Sequence, residues 1–91
     1  MDLTELRVEM DGIDRGLTEL FQRRMELSAL IARYKAEKGL AVTDPKREEE
    51  KLQAVSELVA PEFSEDVQTL YRLLIELSKG YQNRLLEDEK C

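Results

Sequence analysis

One cationic side chain interrupts a long apolar stripe in the first half of the sequence, and a second shares its helix face at a spacing that would let the two hold a small anion together. Arg24 stands where the stripe calls for an apolar residue, and Lys35 follows farther along the chain. The interval between these two residues is almost a whole number of helical turns, so they lie on one helix face, about 16 Å apart along the axis. That face comprises Arg24, Ser28, Ile31 and Lys35. Two long side chains that lean toward each other would leave room for one small anion.

A second group of polar residues lies on two later segments that also have helical periodicity. Arg47 and Glu48 stand at the start of the second predicted helix, whose N-terminal dipole adds to a positive field. Ser78 and Gln82 are four residues apart on one face of the last predicted helix. A buried cluster of like charges is costly without a counter-ion, and Glu48 is the one nearby acid in phase with it. We therefore expect the cluster to bind an anionic ligand.

Each of these residues also has a purely structural interpretation, which the sequence leaves open. Arg24 could extend its charge to solvent or set the register of the helix seam. Glu48 could be a first-turn carboxylate stabilised by the helix dipole. Ser78 and Gln82 could form hydrogen bonds between helices, and Lys35 could be a solvated surface charge. It is the combination of these residues on matching faces that favours a binding site.

Arg7 requires a different arrangement. It lies 17 residues before Arg24, about 25 Å away and roughly 100° around the helix. It is therefore not expected to reach the same site within its own chain. In an antiparallel dimer, however, the N-terminal end of one long helix could lie over the middle of the other.

The composition excludes several classes of chemistry. The chain has no histidine, and its one cysteine, Cys91, is the last residue, where we expect an inert, exposed thiol. Ser-His-Asp and Cys-His catalysis are therefore impossible, and the commonest zinc ligand is missing. We expect no metal and no other cofactor. An enzyme of this composition would work by positioning and electrostatics.

Charge and hydropathy argue against two kinds of partner. The net charge is −6 and no run of lysine and arginine exceeds two residues, which argues against nucleic acid binding. No apolar run approaches the roughly 20 residues needed to cross a bilayer, and the first residues lack the basic and apolar regions of a signal peptide. We therefore expect a cytoplasmic protein that binds neither nucleic acid nor a membrane.

The elements that position these groups are predicted to be three helices in one all-α domain of residues 1–91. The first is predicted from about residue 2 to residue 38, with Gly39 as its C-terminal cap. Such a helix is about 55 Å long, whereas a compact domain of this size has a diameter of only about 30 Å. The apolar seam at its far end therefore cannot be buried within its own domain. We predict that a second copy of the chain covers it in an obligate homodimer. That seam, with its 3,4 spacing, comprises Leu3, Leu6, Met10, Ile13, Leu17, Leu20, Leu27, Ile31 and Tyr34.

The other two helices are predicted to be shorter. The second runs from about residue 45 to residue 59, with Asp44 as its N-cap. The third starts near Ser64, its predicted N-cap, and runs to about residue 86. Residues 87–91 are expected to be a frayed tail.

Taken together, the polar residues and their spacing resemble those of the all-helical (AroQ-type) chorismate mutases. The resemblance covers essentially the whole chain. No single element is specific, but the joint pattern is. It is carried by Leu6 with Arg7, Ile13 with Asp14, Arg24 with Glu26 and Leu27, Lys35, the run from Asp44 and Pro45 through Lys46, Arg47 and Glu48, and finally Ser78 and Gln82.

The resemblance implies an intertwined homodimer of three-helix subunits, with two sites that are each built from both chains. It implies conversion of chorismate, a small dianion, to prephenate in phenylalanine and tyrosine biosynthesis. This reaction is an intramolecular Claisen rearrangement that needs no cofactor and no covalent intermediate. Arg24, and Arg7 of the neighbouring subunit, would hold the two substrate carboxylates, with help from Arg47 and Ser78.

The resemblance also implies the roles of the remaining site residues. Glu48 would accept a hydrogen bond from the ring hydroxyl, and Asp44 would order the rim of the site and contribute to that contact. Lys35 and Gln82 would donate hydrogen bonds to the ether oxygen. Together with Arg24, the residues Lys35, Gln82 and Glu48 form the expected catalytic set.

Two other functions remain open at this point. An isochorismate-pyruvate lyase shares this fold, much of this site and the pericyclic type of reaction. We favour the mutase because Asp44, Arg47 and Glu48 occur together with Gln82. A non-catalytic helical dimerisation module is the alternative from a different functional class. It requires no ligand at the polar residues that interrupt the apolar helix faces.

Overall fold

The computed structural model describes residues 1–90, and in that part of the chain it contains three α-helices, one short 3₁₀-helix and no strand. The helices are α1 (Leu3–Glu37), α2 (Pro45–Ser56) and α3 (Ser64–Lys90), and the 3₁₀-helix is Pro61–Phe63. The prediction of an all-α chain with one very long N-terminal helix is confirmed. Cys91, which we predicted to carry an inert thiol, lies outside the described residues.

Helix α1 begins and ends where the sequence predicts. The Asp2 carboxylate accepts a hydrogen bond from the Glu5 backbone N–H at 2.8 Å, which satisfies one of the free donors of the first turn. At the other end Gly39 adopts a left-handed conformation, with φ +69°. This allows the Leu40 N–H to donate to the Lys35 carbonyl at 2.8 Å and closes the helix in a Schellman motif.

Helix α2 ends earlier than predicted, at Ser56 instead of near residue 59. Its beginning agrees with the prediction, since the Asp44 carboxylate accepts from the Arg47 N–H at 3.1 Å. At its end, the N–H groups of Glu57 and Leu58 bond to carbonyls only three residues back, which tightens the last turn. The following proline also disfavours helical backbone at the residue before it, and Ala60 is extended there, with φ −59° and ψ 147°.

The predicted role of Ser64 as the N-cap of α3 is wrong. Ser64 already has helical backbone angles because the 3₁₀-helix leads directly into α3. Its hydroxyl instead donates to the Ser56 carbonyl at 2.9 Å and so joins the end of α2 to the start of α3. At its far end α3 continues to Lys90, past the predicted end, and an ion pair of 2.9 Å between Arg33 and Glu89 ties that segment to α1. The predicted fraying of residues 87–91 stays a prediction.

The three helices leave most of the α1 seam exposed. Helix α3 packs against both α1 and α2, and the only buried apolar residues among residues 1–89 are Ala29, Ala32 and Val55. In the first half of α1, Leu17 is 57% exposed and Leu20 is 69% exposed. The radius of gyration is 16.5 Å and the longest dimension 54 Å, whereas a compact chain of this length would have a radius near 12 Å. The prediction that α1 overshoots its own domain is therefore confirmed.

Candidate active site

The three helices enclose one side of an open cavity of about 320 Å³. Its walls are the second half of α1, the start of α2 and the middle of α3. A volume near 300 Å³ is at the small end of the range for small-molecule sites. Seven of the eight residues that the sequence singled out line this cavity: Arg24, Lys35, Asp44, Arg47, Glu48, Ser78 and Gln82.

Arg24 is held by contacts on two sides. Its Nη1 donates to the Ser78 hydroxyl oxygen at 2.9 Å, and its guanidinium lies 5.5 Å from the centre of the Tyr71 ring. The Ser28 hydroxyl, 3.1 Å from that of Ser78, also donates to the Arg24 carbonyl at 3.0 Å. A guanidinium has five N–H donors, so several remain for a ligand. The arrangement presents a planar donor group that matches a carboxylate.

The neighbouring arginine has a different environment. The side chain of Arg23 is 63% exposed and forms a surface ion pair of 3.8 Å with Glu26. It does not line the cavity, whereas Arg24 does. Helical phase alone separates these adjacent residues, since they point about 100° apart around the helix.

Gln82 and Lys35 are each anchored by one donated hydrogen bond. The buried Gln82 amide Nε2 donates to the Ser28 carbonyl at 2.8 Å. Lys35 Nζ donates to the Val42 carbonyl at 3.2 Å and so ties the segment between α1 and α2 to the cavity wall. A primary amide has two N–H donors and an ammonium has three. Both residues therefore have further N–H donors that these anchoring hydrogen bonds do not use.

Asp44 and Arg47 form the rim at the start of α2. Both are exposed, and both line the cavity. Because the Asp44 carboxylate accepts the Arg47 N–H, it already has a structural role as the helix cap. The N-terminal turn of α2 contributes a partial positive charge at this rim.

Glu48 contacts a residue that sequence reasoning missed, Lys79. Lys79 Nζ lies 3.3 Å from Glu48 Oε1 and 3.1 Å from Glu76 Oε1, and Lys79 lines the cavity beside Glu48. Hydrogen bonds, first to Glu76 and then to Glu48, raise the pKa of Lys79 above its usual value. The Glu76–Lys79 spacing on one helix gave a weak signal for a local ion pair. The contact with Glu48 depends on how α2 crosses α3, which no local pattern encodes.

The cavity is cationic in an acidic chain. Its lining contains five cationic side chains, of Arg24, Lys35, Arg47, Lys51 and Lys79, against the two carboxylates of Asp44 and Glu48, a net charge of +3. The chain as a whole has a net charge of −6. The positive charge is thus concentrated at one site, which suits a small anion with more than one negative charge.

Arg7 is not part of this cavity. It is exposed on the first turns of α1 and does not line the cavity. This agrees with the expectation that Arg7 cannot reach the site of its own chain. Its predicted place in a partner's site stays a prediction.

Neither a metal-binding cluster nor a membrane-spanning helix occurs in the described residues. Within residues 1–90, no group of three or more acidic or thiol side chains is placed to hold a metal ion. No helix in that part of the chain combines the length and the apolar character needed to cross a bilayer.

Comparison with known proteins identifies similar sequences. The family model described as chorismate mutase type II matches residues 6–83. The chorismate mutase of Methanocaldococcus jannaschii is 29% identical over 89 residues, which cover 94% of this chain and 89% of that protein. No solved structure gives a significant match.

Two other relatives match part of the chain. The T-protein of Haemophilus influenzae is 42% identical over 52 residues, or 57% of this chain and 14% of that protein. The 4-amino-4-deoxychorismate mutase of Streptomyces venezuelae is 39% identical over 46 residues, or 50% of this chain and 45% of that protein. The matched region thus spans less than half the length of either of these relatives.

Proposed function

Because the chain belongs to the chorismate mutase type II family, we propose that it converts chorismate to prephenate in the biosynthesis of phenylalanine and tyrosine. The observation that carries the proposal is the cavity with a net charge of +3, where Arg24 and Lys35 line the same α1 wall. A dianionic substrate supplies the counter-charge that such a cavity needs. The name of the Methanocaldococcus jannaschii relative, chorismate mutase, supports the same reaction.

The chemistry requires positioning and electrostatic stabilisation only. In this rearrangement the ether C–O bond breaks ahead of C–C bond formation within one molecule, so no atom is gained or lost. Negative charge develops on the ether oxygen in the transition state. Fixed donors aimed at that oxygen stabilise the transition state more than the ground state. No nucleophile and no general base are needed.

The donors left over in the cavity fit these requirements. Arg24, fixed by Ser78 and Tyr71, would hold one substrate carboxylate. Lys35 and Gln82, each with one donor already anchored on backbone, would direct a remaining donor to the ether oxygen. Holding the flexible substrate by its carboxylates favours its reactive chair-like shape, which lowers the entropic part of the barrier.

The rim residues complete the proposed site. Glu48 would accept a hydrogen bond from the ring hydroxyl, since Lys79 contacts its Oε1 and leaves Oε2 available. Asp44, through its cap on α2, would hold Arg47 and Glu48 in place. Arg47 would add a second positive charge for a carboxylate at the rim.

We further propose that the active form is a homodimer in which Arg7 of the partner subunit completes each site. The support is the exposed seam of α1, from Leu3 to Leu20, which extends past the chain's own core. A contiguous exposed apolar face of this length is typical of an interface. An antiparallel neighbour would bring its Arg7 toward the middle of α1.

A direct assay tests the proposal. Purified protein is incubated with chorismate, and both substrate loss and prephenate formation are followed. We expect prephenate to account for all chorismate consumed, without added metal or cofactor. A parallel incubation with isochorismate tests the lyase alternative, because pyruvate released there without prephenate from chorismate would replace our proposal. Turnover of neither substrate would favour the non-catalytic dimerisation module.

A further inference from the structure

Lys79 forms the least exposed ion pair in the described part of the chain. The side chains of Lys79 and Glu48 are 22% and 27% exposed, whereas those of the surface pairs Arg23–Glu26 and Arg33–Glu89 are 48–63% exposed. This pair also joins two helices, since Glu48 is on α2 and Lys79 on α3. It is therefore placed to position the cavity wall.

The second partner of Lys79 explains its orientation. Glu76 lies one turn earlier on α3, contacts Lys79 Nζ at 3.1 Å, and is itself 69% exposed and outside the cavity. The ammonium is thus held between an outer carboxylate and an inner one. Of the two carboxylates, only that of Glu48 lines the cavity.

We propose that Lys79 is a positioning residue that holds the Glu48 carboxylate and cancels its charge, so that this end of the cavity accepts a neutral hydroxyl group and rejects a cationic substituent. The inference rests on the proposed function, in which Glu48 meets the ring hydroxyl of the substrate. It adds a reason for substrate choice that Glu48 alone does not supply.

Lys79 and a bound substituent compete for the Glu48 oxygens. A carboxylate accepts hydrogen bonds at both oxygens, and Lys79 occupies Oε1 at 3.3 Å. The other oxygen can accept a hydroxyl hydrogen at little electrostatic cost. A cationic group at the same place would lie beside the Lys79 ammonium, with Lys51 also on the cavity wall. Glu76 is 69% exposed and outside the cavity, so solvent screens its charge. Within the cavity, the Lys79 charge therefore offsets the attraction that Glu48 alone would exert on the cation.

The chemistry of a substrate analogue makes this testable. In 4-amino-4-deoxychorismate a primary amine replaces the ring hydroxyl, and such amines, with pKa values of about 8 or above, are mostly protonated at pH 7. Wild-type protein should therefore prefer chorismate strongly. Removing the Lys79 charge frees a full negative charge on Glu48 for the ammonium group.

The experiment compares kcat and KM for both substrates at pH 7 in wild type, Lys79→Met and Lys79→Arg. Lys46→Met is the matched control, because Lys46 is exposed on α2 and does not line the cavity. We expect Lys79→Met to lower the ratio of kcat/KM for chorismate over the amino analogue by about tenfold or more, the scale of one nearby charge. Lys79→Arg should largely restore the ratio, and Lys46→Met should leave it unchanged.

Other outcomes overturn the inference in distinguishable ways. An active wild type with the same ratio in Lys79→Met overturns it alone, as does an equal loss of activity on both substrates. A wild type that turns over neither compound overturns the proposed function and this inference with it. Should Lys79→Met melt below the assay temperature, Lys79→Gln, which keeps a hydrogen-bond donor without the charge, serves for the same comparison.

Discussion

Adjacent arginines on α1 allow a sharp test of the cavity, since Arg24 lines it and Arg23 does not. We compare Arg24→Met with Arg23→Met. Methionine is unbranched and keeps much of the apolar stem, so each variant removes one positive charge with little change in packing. The two variants are identical in composition and differ only in which face of the helix loses its charge.

The expected effect of Arg24→Met on activity follows from its proposed contact. Removing one partner from a desolvated charge pair costs about 3 kcal/mol when the other stays in the site. At 1.36 kcal/mol per factor of ten, this corresponds to a fall of about 150-fold in kcat/KM. Because a carboxylate contact exists in ground and transition state alike, much of the loss should appear as a higher KM.

The expected effect on folding is small. Arg24→Met loses the 2.9 Å hydrogen bond to Ser78 and the contact with the Tyr71 ring at 5.5 Å. The hydrogen bond, which has a charged donor, is worth about 1.5 kcal/mol and the ring contact about 1 kcal/mol or less, and removal of a half-buried cation offsets part of the loss. A net change of about 1 kcal/mol would shift the Tm of a domain of this size by about 4–8 °C. Arg23→Met removes only an exposed pair and should have almost no effect.

The assay is steady-state turnover of chorismate, with circular dichroism melting curves for both variants. We expect a large loss of kcat/KM in Arg24→Met and wild-type values in Arg23→Met, with both proteins folded. A folded Arg24→Met protein that keeps wild-type kcat/KM would refute the assignment of the cavity as the active site. Equal losses of kcat/KM in the two variants would show that net charge, not the position of the arginine, causes the effect.

Four further changes test other parts of the molecule. Lys35→Ala should lower kcat by about two orders of magnitude with little change in KM, measured by chorismate turnover, since its donor acts on transition-state charge. Mixing inactive Arg7→Ala and Lys35→Ala proteins under subunit exchange should restore activity, and no recovery would show that Arg7 does not act across the dimer. Asp44→Ala should cost about 1 kcal/mol of stability in urea titrations through loss of the α2 cap, while Asp44→Asn retains it. The pKa of Lys79 is raised in the folded state, so the stabilisation by its ion pairs should be present at neutral pH and lost only above about pH 10. The urea midpoints of wild type and Lys79→Met should therefore differ at pH 7 and converge above about pH 10.

Local periodicity was sufficient to predict helix α1 and the charged residues that it contributes to the cavity. The 3,4 spacing of apolar residues and Gly39 predicted both ends of the helix. The interval between Arg24 and Lys35 placed them on one face, and both line the cavity. These features depend on one helix only, so the sequence contains all the information they need.

Features that depend on how two helices meet were not predictable in this way. The end of α2 and the hydroxyl of Ser64 are set by the 3₁₀-helix that leads into α3. Lys79 contacts Glu48 across the α2–α3 interface. A lysine next to a polar helix face has the same local pattern whether it reaches solvent or a cavity, so only the packed helices distinguish the two.

The cavity residues are held by polar contacts, in a chain whose described part buries few apolar side chains. Within residues 1–89 no large side chain is fully buried, and the buried polar residues are Ser28, Ser78 and Gln82. These three lie at the α1–α3 contact, where they bond to Arg24, to one another or to backbone. The hydrogen bonds at this contact are therefore also those that orient two of the proposed donors, Arg24 and Gln82. It follows that replacing Ser78 with alanine should disturb Arg24 more than it disturbs the fold, since Arg24 would lose the acceptor that fixes its guanidinium.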